Sequence, residues 1–117
     1  MAALDTNVLV RFLVEDDRAQ LAAARRLFED CAARNEPLFV PKAVVLELEW
    51  VLRKLYEVSK ADFIQGLSQL LSTTELMFED EAAIEEALDQ YQMAKADFAD
   101  CLHLSTARRA GQEPLWT

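Results

Sequence analysis

The chain has 117 residues, a formal net charge of −9 and 52% hydrophobic side chains, enough for one domain with one core and too apolar for a disordered chain. Two glycines and three prolines argue for long helices with short connections and against an all-β fold. The longest stretch free of ionisable residues, 63–74, is interrupted by Gln65, Gly66, Ser68 and Gln69, so no membrane span is expected. The first residues lack a basic region followed by a long apolar run, so no secretory signal is expected. Cys31 and Cys101 lack CxxC spacing and read as reduced, buried small hydrophobes. A soluble, cytoplasmic protein is the expectation.

In chain order, Met1-Ala2-Ala3-Leu4 reads as a short strand ending at Asp5, with Thr6 or Asn7 opening a helix over 6–14. Glu15-Asp16-Asp17 breaks that helix, and Asp17 is placed to cap a second, running to about residue 34. Leu38-Phe39-Val40, bounded by Pro37 and Pro41, reads as a buried strand. A third helix over 42–57 carries Val44, Val45, Leu48, Val51, Leu52 and Leu55 along one face. Ser59 opens a fourth over 60–71, with Phe63, Ile64, Leu67, Leu70 and Leu71 inward. Leu76-Met77-Phe78 is a third strand, and Asp80 is placed to cap a helix to about residue 93. Asp97 opens another to about 110, ended by Gly111, and Pro114-Leu115-Trp116-Thr117 resembles the start of a fourth strand. Short apolar strands alternating with helices imply one α/β domain, residues 1–117, with a mostly parallel sheet.

Charge is unevenly distributed. Lys60 and Lys95 bracket a stretch without basic residues that holds Glu79, Asp80, Glu81, Glu85, Glu86 and Asp89, read as a solvated acidic face. Basic pairs stand at Arg25-Arg26, Arg53-Lys54 and Arg108-Arg109. The acidic total counts against a nucleic-acid partner unless cations neutralise acids at the site.

Five acids have positions suited to chemistry. Asp5 ends a strand, where open α/β sheets place their ligands, although it would serve equally as an N-cap. Glu47 and Glu49 fall on opposite rims of the third helix's apolar face, and periodicity does not choose between them. Asp97 and Asp100, three apart, share one side of a helix start; there the dipole favours them, and an otherwise apolar setting makes a bound cation a remedy for their repulsion. An all-oxygen ligand set suits Mg²⁺ or Mn²⁺, and paired ions in such a set activate water against a phosphodiester.

Leu4-Asp5-Thr6-Asn7, then Val40-Pro41 with Val44-Val45-Leu46-Glu47-Leu48-Glu49-Trp50-Val51-Leu52, then Ala96-Asp97-Phe98-Ala99-Asp100 with Leu102 through Ala107, resemble the three signature blocks of PIN-domain proteins. The nearest group is the VapC-type ribonuclease toxins. The resemblance implies a PIN-like three-layer α/β sandwich and Mg²⁺- or Mn²⁺-dependent endoribonuclease activity on RNA. It further implies a homodimer and a VapB-type antitoxin partner. It makes Asp5, Glu47 and Asp100 the principal acids and Asp97 an accessory one. Glu47 is chosen over Glu49 because it stands three residues before Trp50-Val51-Leu52. Thr6 matches a position whose hydroxyl supports the first aspartate. The family's last strand runs into Phe-Asp and a final helix, whereas the sequence ends at Thr117; loss of that acid and helix, with weaker metal binding, is the corresponding expectation. The rival reading is a non-catalytic PIN-like module that binds an antitoxin or other protein. His103, with no Ser or Cys nucleophile signature nearby, is expected at the surface, Ser105 as an ordinary helix residue, and Trp50 as a packing or dimer-contact aromatic.

Overall fold

The computed structural model describes residues 2–14 and 18–111. The break at residues 15–17, Asp17 as a cap and the fourth strand over 114–117 lie outside them. Elements follow the order β1 (Ala2–Ala3), α1 (Thr6–Val14), α2 (Arg18–Ala33), β2 (Leu38–Val40), α3 (Lys42–Leu55), α4 (Lys60–Leu71), β3 (Leu76–Phe78), α5 (Glu81–Met93) and α6 (Phe98–Arg109). The chain divides into two compact units, one ending at Glu79 and one beginning at Asp80.

The first unit is built on a three-stranded sheet in the order β1-β2-β3, both pairings parallel. Ala2 pairs with Leu38, Leu38 with Leu76, and Val40 with Phe78. The ladder extends beyond the strands through Leu4 N–H to Phe39 O (2.8 Å) and Glu79 N–H to Val40 O (2.9 Å). The central strand β2 buries Leu38 and Val40 completely, as a short apolar run between prolines should. Leu9, Val45, Leu48, Leu52 and Leu67 complete the fully buried set of this unit. Helix α1 packs on α2 and α3, with the Phe12 and Phe28 ring centroids 4.3 Å apart. The class is α/β, as expected.

Helix ends follow local chemistry. At the end of α2, Asn35 takes φ 56°. Its N–H bonds Ala32 O, and Glu36 N–H bonds Cys31 O. This paired closure needs a left-handed residue, which asparagine tolerates better than most. Ser59 caps α4 by accepting from Asp62 N–H at 3.1 Å. Helix α3 stops at Leu55 rather than 57, because Glu57 turns to φ 53° and Val58 N–H bonds back to Leu52 O. Leu55, expected inward, is consequently 67% exposed on the last turn.

The second unit contains α5 and α6, which pack on each other. Ala83, Ile84, Ala87, Leu88 and Tyr91 are buried on α5, and Phe98, Cys101 and Leu102 on α6. Tyr91 meets Phe98 edge to face with centroids 5.5 Å apart, and Arg108 bonds Glu86 at 2.8 Å. Gly111, at φ 75°, closes α6. No helix among the described residues is long and apolar enough to cross a membrane.

Ser105 breaks the pattern. It is fully buried on the apolar side of α6, and its hydroxyl has no hydrogen-bond partner among the described residues. Burying an unmatched hydroxyl costs on the order of 1–3 kcal/mol. Ser105→Ala removes that cost and is expected to raise unfolding stability by about 1 kcal/mol. Urea unfolding checks this: a higher midpoint at unchanged slope is expected, and a lower one shows that the hydroxyl is satisfied.

Candidate active site

Parallel pairing places the carboxyl ends of all three strands on one edge of the sheet, with an acidic residue following β1 and β3 there and Pro41 following β2. After β1 comes Asp5, whose backbone oxygen accepts from Val8 N–H (3.2 Å) and whose Oδ1 accepts from Asn7 N–H (2.7 Å). Asp5 therefore caps α1 with one carboxylate oxygen. It is exposed, while Thr6 beside it is buried. The expectation that Thr6 or Asn7 opens the helix is met at Thr6.

After β2 comes Pro41 and then α3. Glu47 is exposed and Glu49 is buried. Glu49 accepts from Arg53 Nε at 2.8 Å, one turn on. The two rims therefore differ in their surroundings. Glu49 is committed to an ion pair, and Glu47 is committed to no bond or ion pair among the described residues. The i,i+4 spacing of Glu49 and Arg53 was the available sequence signal for that pair. Trp50 is 51% exposed, so it is not a core residue of its own chain.

After β3 comes Glu79, counted from sequence with the solvated acidic face. Its Oε1 accepts from Lys42 N–H, the first amide of α3, at 2.7 Å. Sequence reasoning missed this role, although Glu79 follows its strand much as Asp5 follows the first.

In the second unit, Asp97 occupies the N-cap position of α6 with φ −66° and ψ 152° but makes no side-chain cap bond, and Asp100 lies in the first turn. Both are exposed, and neither side chain has a bonding partner among the described residues, although Asp97 O accepts from Cys101 N–H at 3.1 Å. Asp100 also lines a largely apolar groove of about 490 Å³ with Met93, Ala94, Ala96, Cys101 and Leu104. His103 is exposed, as expected.

The structure thus places Asp97 and Asp100 on one helix turn. It sets Asp5 just before α1 and Glu47 on α3, two helices that pack together. No three acidic, histidine or cysteine side chains among the described residues form a cluster that could hold a metal ion. Asp5, Glu47, Asp97 and Asp100 each carry hard carboxylate oxygens with no ion-pair partner among the described residues, the donor type that Mg²⁺ and Mn²⁺ prefer. Several surface acids are equally unspent; a strand-end position distinguishes Asp5, helix-start positions distinguish Asp97 and Asp100, and only the family resemblance distinguishes Glu47.

The sequence profile of the PIN domain matches residues 2–117. This chain belongs to the PIN-domain family. Within that family it is similar to the VapC ribonuclease of Aquifex aeolicus (strain VF5), 30% identical over 111 residues that cover 95% of this chain and 82% of the relative. No solved structure matches this PIN domain.

The two glutamates of α3 give a clean contrast. Glu49→Gln weakens a largely buried ion pair whose arginine is nearly half exposed, and it is expected to cost about 1 kcal/mol of stability. Glu47→Gln, at an exposed unpaired position, should stay within about 0.5 kcal/mol of the parent. Chemical denaturation of both variants measures the difference; equal losses would contradict the assignment.

Proposed function

We propose that this PIN domain is a Mg²⁺- or Mn²⁺-dependent endoribonuclease, the toxin of a toxin–antitoxin pair. In this reading the whole chain acts as one domain. Asp5, Glu47 and Asp100, with Asp97 as an accessory ligand, hold the divalent ions, and buried Thr6 supports Asp5 from behind. The observation that carries the reading is the relationship to a VapC ribonuclease along nearly the whole chain. The uncommitted carboxylates supply the chemistry it needs. A divalent cation bound there supplies Lewis acidity and water activation for in-line attack at phosphorus.

The chain's own residues bind and orient. Asp5 keeps one oxygen on the Asn7 amide, which fixes its carboxylate plane and leaves the second oxygen for a ligand. Glu47 projects from the second turn of α3, a rigid support for a group whose position must be held closely. Asp97 and Asp100 add charge at the start of α6, and the ion offsets their mutual repulsion. The remaining negative charge of the chain makes RNA binding depend on that ion, because phosphate contacts otherwise require basic groups.

A VapB-type antitoxin, a homodimeric assembly and a cytoplasmic location complete the proposal. The purified chain with Mn²⁺ is expected to cleave RNA oligonucleotides, and chelation is expected to stop it. Asp5→Asn should lower the cleavage rate by more than about 100-fold, with the circular dichroism spectrum retained. Equal cleavage by that variant and the parent, in nuclease-free preparations, refutes the assignment. Failure of the parent to bind Mn²⁺ or cut RNA, combined with tight binding of an antitoxin-like protein, favours the non-catalytic module instead.

A further inference from the structure

We propose that Glu79 is a positioning residue for this site, acting through α3 on Glu47; the inference rests on the reading of Glu47 as a metal ligand. Helix α3 starts without a cap of its own. Its N-cap residue is Pro41, extended at φ −62° and ψ 149°, which offers no side-chain acceptor. Pro41 O takes the Val44 and Val45 amides at 3.0 and 3.3 Å. The first helical amide, that of Lys42, is taken by Glu79 Oε1 at 2.7 Å, from 37 residues away in sequence.

Glu79 is itself anchored on the same junction. Its N–H donates to Val40 O at 2.9 Å, so its backbone grips the residue before Pro41 and its side chain grips the residue after it. The two bonds bracket the one point where the chain turns from β2 into α3. A carboxylate at a helix N-terminus is also favoured by the dipole and by charge-assisted bonding. The clasp therefore ties the direction of α3 to the edge of the sheet that carries Asp5. Glu47 lies five residues beyond Lys42 on that helix, so the clasp sets where its carboxylate stands relative to the strand ends.

The bond requires an acceptor oxygen at this position rather than a negative charge, and the variants follow from that. Glu79→Ala removes the acceptor, while Glu79→Gln keeps one. Amide hydrogen exchange is expected to show loss of Lys42 N–H protection in Glu79→Ala and its retention in Glu79→Gln. Cleavage of a fluorescein-labelled RNA oligonucleotide with Mn²⁺ should show kcat falling about tenfold in Glu79→Ala with KM little changed, since misplacement by a fraction of an ångström acts on the reacting geometry. The glutamine variant should recover most of that rate. Mn²⁺ affinity should fall in Glu79→Ala but fall no further when Glu79→Ala is added to Glu47→Gln, because the effect passes through Glu47.

Parent-like kcat and Mn²⁺ affinity in Glu79→Ala overturn the proposal alone. So does an equal loss in the alanine and glutamine variants, or an undiminished effect of Glu79→Ala on Mn²⁺ affinity in the Glu47→Gln background. A parent chain that neither binds Mn²⁺ nor cleaves RNA overturns the nuclease reading and this proposal with it.

Discussion

The first unit depends on the parallel pairing of three very short strands. A parallel ladder puts every strand's carboxyl end on one edge and forces each return through a helix. With strands of two or three residues, there is little sheet to stabilise by itself, so the junctions beyond the strand ends carry much of the geometry. Leu4 and Glu79 extend the ladder by one bond each, and Asp5 and Glu79 use their side chains to start α1 and α3. Acidic side chains thus have a structural use on this edge before any ligand is considered.

That double use explains why acids accumulate where repulsion would seem to forbid them. Helix starts tolerate carboxylates because their free amides and dipole favour negative charge. Asp5 and Glu79 are bonded to such amides, whereas Asp97 stands at a helix start without making the cap bond. Glu49 shows the opposite solution, an acid drawn into the apolar boundary and matched by Arg53. The acids proposed to bind metal lie outside both arrangements, as several other surface acids do, apart from the single oxygen of Asp5.

Much of the architecture was legible in the sequence. Pro37 and Pro41 frame β2, apolar triplets mark β2 and β3, and Ser59 announces α4; these elements lie where the pattern puts them. The end of α3 was not legible, because Glu57 carries no sign of a left-handed turn. The inward reading of Leu55 failed with it. Ser105 was read as ordinary because burial on a helix face is a tertiary fact, and one serine in an apolar stripe breaks no local rule. The Glu79 clasp joins residues 37 apart and could be suspected only from the analogy with Asp5. Among the candidate acids, the strand-end and helix-start positions were legible from caps and periodicity. The choice of Glu47 over Glu49 rests on family resemblance, and the structure shows only that Glu49 is bonded to Arg53.

The proposed nuclease reading has Asp5, held by the Asn7 amide on one oxygen, offer the other to a divalent ion for which Asp100 is a second proposed ligand. Anomalous diffraction from crystals of the full chain grown with Mn²⁺ tests this most directly. The account predicts a manganese peak about 2.0–2.3 Å from carboxylate oxygens of both residues. Manganese bound elsewhere, with Asp5 and Asp100 sharing no ion, would contradict it.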